Sequence, residues 1–143
     1  MGKFTFREAL TALVVLVVLA AVALPLWHAH QLRLRREDAT EALRALQTAQ
    51  DDYFGKHARY ADEAQLRASS PQAMSAKSTS PRGFYQISLQ RSDDELTYTA
   101  IARSIPREGE PEDPRCAELR IDQNGRRFAV DASGQDRSAD CWR

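Results

Sequence analysis

Few side chains in this sequence are placed to do chemistry, and those that could are scattered. His28 and His30 are two residues apart, so on a helix they point to different faces and make poor co-ligands for a metal. His57 follows Asp51 and Asp52, a set that could form an acid–base dyad but reads more simply as a solvated helix end. Asp93, Asp94 and Glu95 are consecutive acids that lack the alternating ligand spacing of a calcium loop and suit a turn better. No Gly-rich phosphate loop, no Gly-x-Ser-x-Gly elbow and no Cys-x-x-Cys pair occurs. The expectation is a chain that is not an enzyme and takes no cofactor or metal. Two features remain. Cys116 and Cys141 are the only cysteines and suit one disulfide, which needs an oxidising compartment; two unpaired cytosolic thiols are the alternative. Glu8 is a lone carboxylate at the edge of a long apolar run.

The elements that carry these residues follow from composition and pattern. The chain has 143 residues, and Lys+Arg and Asp+Glu each number 20, for zero net charge. Such a balance sets up no field to recruit a polyanion. The arginines are dispersed without interleaved aromatics, so no nucleic-acid partner is expected. Ala9 to Leu26 holds no charge; with Trp27 it spans about 28 Å as a helix, close to the hydrocarbon core of a bilayer. It reads as a transmembrane segment with Trp27 at the interface. Ala21-Val22-Ala23 offers a signal-cleavage pattern, but the run is long for a signal, Pro25 would follow the cut, and the helical pattern continues past Leu26. Plain single-pass anchoring is a further alternative. Lys3 and Arg7 precede the run and Arg33, Arg35 and Arg36 follow it, so charge counting leaves the orientation open. The cysteines place the C-terminal part outside the cytosol. Drawn toward the bilayer centre, Glu8 would cost roughly 2–3 kcal/mol. It either snorkels to the headgroups, pairs with Arg7 or Lys3, or meets a cation from another subunit.

Phe4-Thr5-Phe6-Arg7-Glu8 and the apolar run after it resemble the start of type IV pilins and pseudopilins. There a glycine precedes Phe-Thr-Leu-Ile-Glu, a long apolar run and a proline. Phe4 matches the first mature residue, which that family N-methylates, and Glu8 the glutamate four residues on. Pro25, seventeen residues beyond Glu8, matches the proline. The resemblance implies that Glu8 neutralises the N-terminal amine of a neighbouring subunit, and that Pro25 kinks or locally melts the helix. One departure stands out: Lys3 occupies the position of the glycine after which the prepilin peptidase cuts, and the glycine is Gly2. Cleavage after Lys3, cleavage after Gly2 and an unprocessed chain all stay open.

Beyond the membrane run the helical pattern continues from His28 to about Phe54. Leu32, Ala39, Leu43, Leu46, Gln50 and Tyr53 form one face, with Arg33, Arg36, Glu37, Asp38, Glu41, Arg44 and Asp51 on the other sides. Gly55 is the expected C-cap. Asp62 to Arg82 is a polar loop with one helical turn near Glu63–Ala68. Strands are expected over Phe84–Gln90, Leu96–Ala102, Ala117–Asp122 and Arg126–Asp131, with Asn124-Gly125 turning the last hairpin. The divisions are therefore 1–8, leader and N-terminal motif; 9–27, transmembrane helix half; 28–54, amphipathic helix half; 55–82, connecting loop; and 83–143, sheet head with the disulfide. The fold class is α+β, a long N-terminal helix packed on a small antiparallel sheet. Cys116 and Cys141 with Trp142 also resemble the C-terminal disulfide region of minor pilins. The resemblance implies a minor subunit of a type IV pilus that polymerises through the apolar helix and supports adhesion or twitching motility. A type II secretion pseudopilin and a non-polymerising anchored module are the alternatives. Implied partners are other pilin subunits, the inner membrane, the pilus assembly machinery and a prepilin peptidase. Implied locations are the bacterial inner membrane, with the head in the periplasm, and then an extracellular pilus.

Overall fold

The computed structural model describes residues 6–75, 77–107 and 113–142; Lys3 and Phe4 lie outside them. Helix α1, Phe6–His57, is 52 residues long, about 78 Å at 1.5 Å per residue. It is one helix with two surroundings. Through His30 every described side chain is exposed; from Arg35 onward a stripe of Arg35, Asp38, Ala39, Ala42, Leu43, Leu46, Ala49 and Gln50 is buried. Steps of three and four put these residues on one face.

That face packs on a four-stranded antiparallel sheet in the order β1 (Tyr85–Arg91), β2 (Tyr98–Ser104), β3 (Glu118–Asp122) and β4 (Arg127–Val130). Alternation decides which side chains meet the helix. Ile87 lies opposite Ala102, which lies opposite Leu119, which lies opposite Ala129. All four are buried in the core with Leu43 and Leu46. The small alanines at Ala100 and Ala102 let the helix sit close to the middle of the sheet, which the flanking Tyr85, Leu89 and Ile121 then enclose.

The helix end differs from expectation. Gly55 is not a cap: the helix runs on to His57, and Ala58 takes the left-handed conformation at φ 54°. The Ala58 N–H still donates to the Phe54 carbonyl at 2.8 Å, the bond of an αL cap, though an alanine carries a Cβ penalty there. Gln50 supplies the compensation: buried, it donates to the Ala61 carbonyl and accepts from the Ala61 N–H, both at 2.9 Å. The chain is thus tied back to the helix whatever residue makes the turn. Helix α2, Glu63–Ser69, is longer than the single turn expected, because Asp62 and Gln65 form a reciprocal capping box. Strands β1 and β2 begin and end one or two residues later than the alternation suggests.

Both sheet edges are covered. Ser78 and Ser80 bond β1 through Ile87 and Tyr85, and the Glu63 carboxylate accepts from the Leu89 N–H at 2.9 Å. The β4 edge is met by Arg137, whose N–H donates to the Ala129 carbonyl, and by the Ser138 hydroxyl. Covered edges offer no template for strand addition.

Candidate functional site

The feature with most unexplained surface is the N-terminal half of α1. Leu10, Leu13, Leu16, Leu19, Val22, Leu24, Leu26 and Trp27 are each half or more exposed, on all sides of the helix. An 18-residue window of α1 has mean hydropathy 2.8 and no residue buried within the chain. The helix is long and apolar enough to cross a membrane. A helix apolar all round requires lipid or other helices about it. Glu8 lies in its first turn, where the helix dipole favours an acid, and the Thr11 hydroxyl donates to the Glu8 carbonyl at 2.9 Å. Of the kink or local melting that the resemblance implies at Pro25, melting is not seen, since the helix runs on through it; the ring removes the N–H that would reach the Ala21 carbonyl. Glu8 and Pro25 are about 25 Å apart along the axis and do not form a common site.

Where the rod enters the head, polar groups hold it. Asp38 was expected on the solvent side and is instead fully buried. Its carboxylate accepts from the Ser80 hydroxyl at 2.5 Å and from the Arg82 and Phe84 N–H groups at 2.9 and 3.4 Å. It therefore fixes the entry into β1. The sequence signal was register: 38, 42, 46 and 49 share the buried stripe. Arg36, also expected in solvent, clamps the buried Asp113 through Nε and an amino group at 2.5 and 3.1 Å. That bond raises its pKa despite partial burial. Arg35 and Arg107 both stack on Phe84, at 4.8 and 4.9 Å. The buried Tyr85 hydroxyl donates to the Cys116 carbonyl at 3.3 Å, and burial raises its pKa well above the usual value.

Cys116 and Cys141 are joined, with Cα atoms 5.8 Å apart. The bridge ties the 3-10 turn Pro114–Cys116 to the short helix α3, Ser138–Cys141. Trp142 donates its indole N–H to the Phe128 carbonyl at 2.9 Å, and Arg127 lies over its ring at 5.4 Å.

The outward face of the sheet carries an open cleft of about 440 Å³ lined by residues that include Thr99, Glu118, Arg120, Phe128 and Asp136. Phe128 is 47% exposed there. Burial disfavours the charged form of Glu118, but Arg103 and Arg120 outweigh it and hold the carboxyl below the usual range. The arginines of the cleft are thus largely engaged. Arg126 and Arg127, at the last hairpin, are exposed and enter no ion pair among the described residues. Among those residues no group of His, Cys, Asp and Glu could hold a metal. His57 stacks on Tyr53 at 4.2 Å.

A solved type IV pilin from Shewanella oneidensis is similar at 22% identity, with a TM-score of 0.47 over 66% of this chain and 88% of that one. No curated protein matches the sequence. The family model of type IV minor pilin ComP, DNA uptake sequence receptor, matches residues 25–120, about two-thirds of the chain and including the amphipathic half of α1, strands β1 and β2 and the start of β3. The chain belongs to the type IV minor pilin ComP family.

Proposed function

We propose that this chain is a minor subunit of a type IV pilus that waits in the membrane and then polymerises through the apolar half of α1. One observation carries the reading: a rod apolar on every side, continuous with the helix at the core of the head, is buried by no partner among the described residues. Burial among neighbouring helices is worth about 1.5–3 kcal/mol for each large apolar side chain that leaves water; in lipid, packing and a charge pair must set the register instead. Glu8 is suited to that pairing, with the amine of Phe4 in a neighbour as its counter-charge if cleavage follows Lys3. Adhesion and twitching motility are functions such a filament would support. Replacing Glu8 with Ala should remove the chain from sheared filaments and leave its membrane abundance unchanged. Unchanged incorporation would overturn the register role, and mass spectrometry of the N-terminus would show whether Phe4 is the first, methylated residue. Cross-linking of rod cysteines to secretion-system pseudopilins alone would favour that alternative, and no cross-link to any pilin would favour an anchored module.

Membership of a family described as DNA uptake sequence receptors supports a second reading, DNA contact by the head. It revises the expectation drawn from dispersed arginines. Arg126 and Arg127 beside the exposed Phe128 and the Trp142 ring offer phosphate contacts next to stacking surfaces. Binding of duplex DNA should weaken as salt rises, and R126Q/R127Q should lower the log–log slope by about 2. A slope unaltered by the double variant would remove DNA contact from this hairpin.

A further inference from the structure

We propose that the base of the head holds an anionic phospholipid while the subunit resides in the membrane, with the lipid phosphate on Arg33, Arg36 and Arg115 and an acyl chain along Leu24 to Leu32. This rests on reading the apolar half of α1 as a membrane segment. Two adjoining cavities carry it. One, of about 410 Å³, is lined by Ala29, Leu32, Arg33, Arg36, Arg115 and Asp140. The other is an open groove of about 560 Å³ lined by Leu24, Pro25, His28, Ala29 and Leu32. They share Ala29 and Leu32, so a basic cleft passes directly into an apolar channel on the same side of the helix. Spacings of three and four residues from Ala29 through Arg33 to Arg36 keep the lining on one face.

Depth selects the ligand. Trp27 ends the apolar run, and Arg33 lies six residues further along α1, about 9 Å of rise. The headgroup layer extends roughly 5–8 Å beyond the hydrocarbon edge, and a long arginine side chain can reach down to it. Guanidinium forks suit phosphate oxygens. Arg36 is tied to Asp113, and Arg115 to Asp140 at 3.2 Å, while Arg33 is exposed and enters no ion pair among the described residues. Among the described residues, three guanidiniums therefore face two carboxylates. Glu108, Glu110 and Glu112 lie in the neighbouring segment outside the described residues. A free phosphate would use only the upper cavity, and a DNA backbone would use neither the apolar groove nor a site this close to the membrane. An amphiphile uses both.

The test is native mass spectrometry of the full-length chain released from nanodiscs of equimolar phosphatidylglycerol and phosphatidylcholine. Phosphatidylglycerol should be retained preferentially, by about fivefold for each cation engaged. R33Q/R115Q should lose the preference, and R33K/R115K should keep most of it. Arg36 is left intact because it holds Asp113. No preference, or one that survives R33Q/R115Q, overturns the proposal. Equal displacement of the lipid by inorganic phosphate or by a duplex oligonucleotide also overturns it, in favour of a free-anion or DNA site. Vesicle flotation separates the two readings: a chain that floats without headgroup preference loses only the lipid site, whereas a chain that does not float loses the membrane segment as well.

Discussion

The two halves of α1 share one backbone and differ in almost everything else. The N-terminal half is apolar on every side and, among the described residues, buries nothing; the C-terminal half is mixed in composition and buries a stripe that includes Arg35, Asp38 and Gln50. The more hydrophobic half is therefore the more exposed one. Composition alone does not specify burial; the partner does. The head half has its partner in the same chain, where buried polar groups fix a unique seat on the sheet. The rod half has a long uncharged apolar surface between Arg7 and Glu8 at one end and His28 and His30 at the other, and none of it is buried among the described residues.

The sharpest way to break this contrast is Asp38→Ala. It leaves the Ser80 hydroxyl and the N–H groups of Arg82 and Phe84 without their acceptor in a buried site. Leaving a buried donor without its acceptor costs about 1–3 kcal/mol for each such group, read as a lower urea midpoint for the head of the detergent-solubilised protein. A loss below about 1 kcal/mol, the level of ordinary surface changes, would mean that Asp38 is not the pin described here.

Next in size is the disulfide. Closing the loop between Cys116 and Cys141, separated by 25 residues, restricts the unfolded chain by about 3.5 kcal/mol on loop-closure entropy. C116S/C141S should lower the stability of the head by about that amount and leave membrane insertion of the rod unaffected. Loss of insertion would show that the two halves are not independent.

A paired comparison comes third. Leu43 and Leu16 are both leucines on α1, one fully buried and the other 63% exposed. Leu43→Ala should cost about 2–5 kcal/mol of head stability through lost burial and a cavity. Leu16→Ala should leave the same midpoint within about 0.5 kcal/mol, and any effect it has should appear in filament incorporation. Equal effects on the head would erase the distinction between the halves.

Much of this was legible in the sequence, for physical reasons. The rod, the strands and the hairpin at Asn124-Gly125 follow from local signals: an uncharged run, alternation and a turn dipeptide with Gly125 at φ 72°. The cysteine pair suited one bridge, which the structure shows between Cys116 and Cys141. What stayed hidden depends on distant residues. Asp38 and Arg36 look like solvent charges because their partners, Ser80 and Asp113, are 42 and 77 positions away. Gly55 misled because a glycine near a helix end usually caps it; here the tie from Gln50 to Ala61 places the turn three residues on, at Ala58. Of the candidate site, the cysteine pair could be picked out by type and is seen joined; Glu8 and Pro25 were singled out by resemblance, and their part in assembly is a proposal. The base cleft could not, since Arg115 meets Arg33 and Arg36 only once the disulfide region folds under the sheet.

The smallest expected effect concerns a local tie inside the head and titrates in acid. The Asp131 carboxylate accepts from the Ser133 hydroxyl at 2.6 Å and from the Ser133 and Gln135 N–H groups at 2.9 Å each, and pairs with Arg137 at 3.1 Å. Burial opposes ionisation, but these donors, the Ser133 hydroxyl first, lower its pKa to about 2. A carboxyl depressed in the folded state contributes stability that is fully present above its unfolded value, near 3.9, and is lost as pH falls through the folded value. The segment from Asp131 to Arg137 should thus stay ordered at pH 4 and loosen between about pH 4 and 2. The Gln135 amide resonance should titrate with a midpoint near 2, not near 4. A midpoint near 4 would mean that the turn does not hold Asp131 in its charged form. A midpoint near 2 that survives replacement of Ser133 by Ala would move the credit to Arg137 and the backbone.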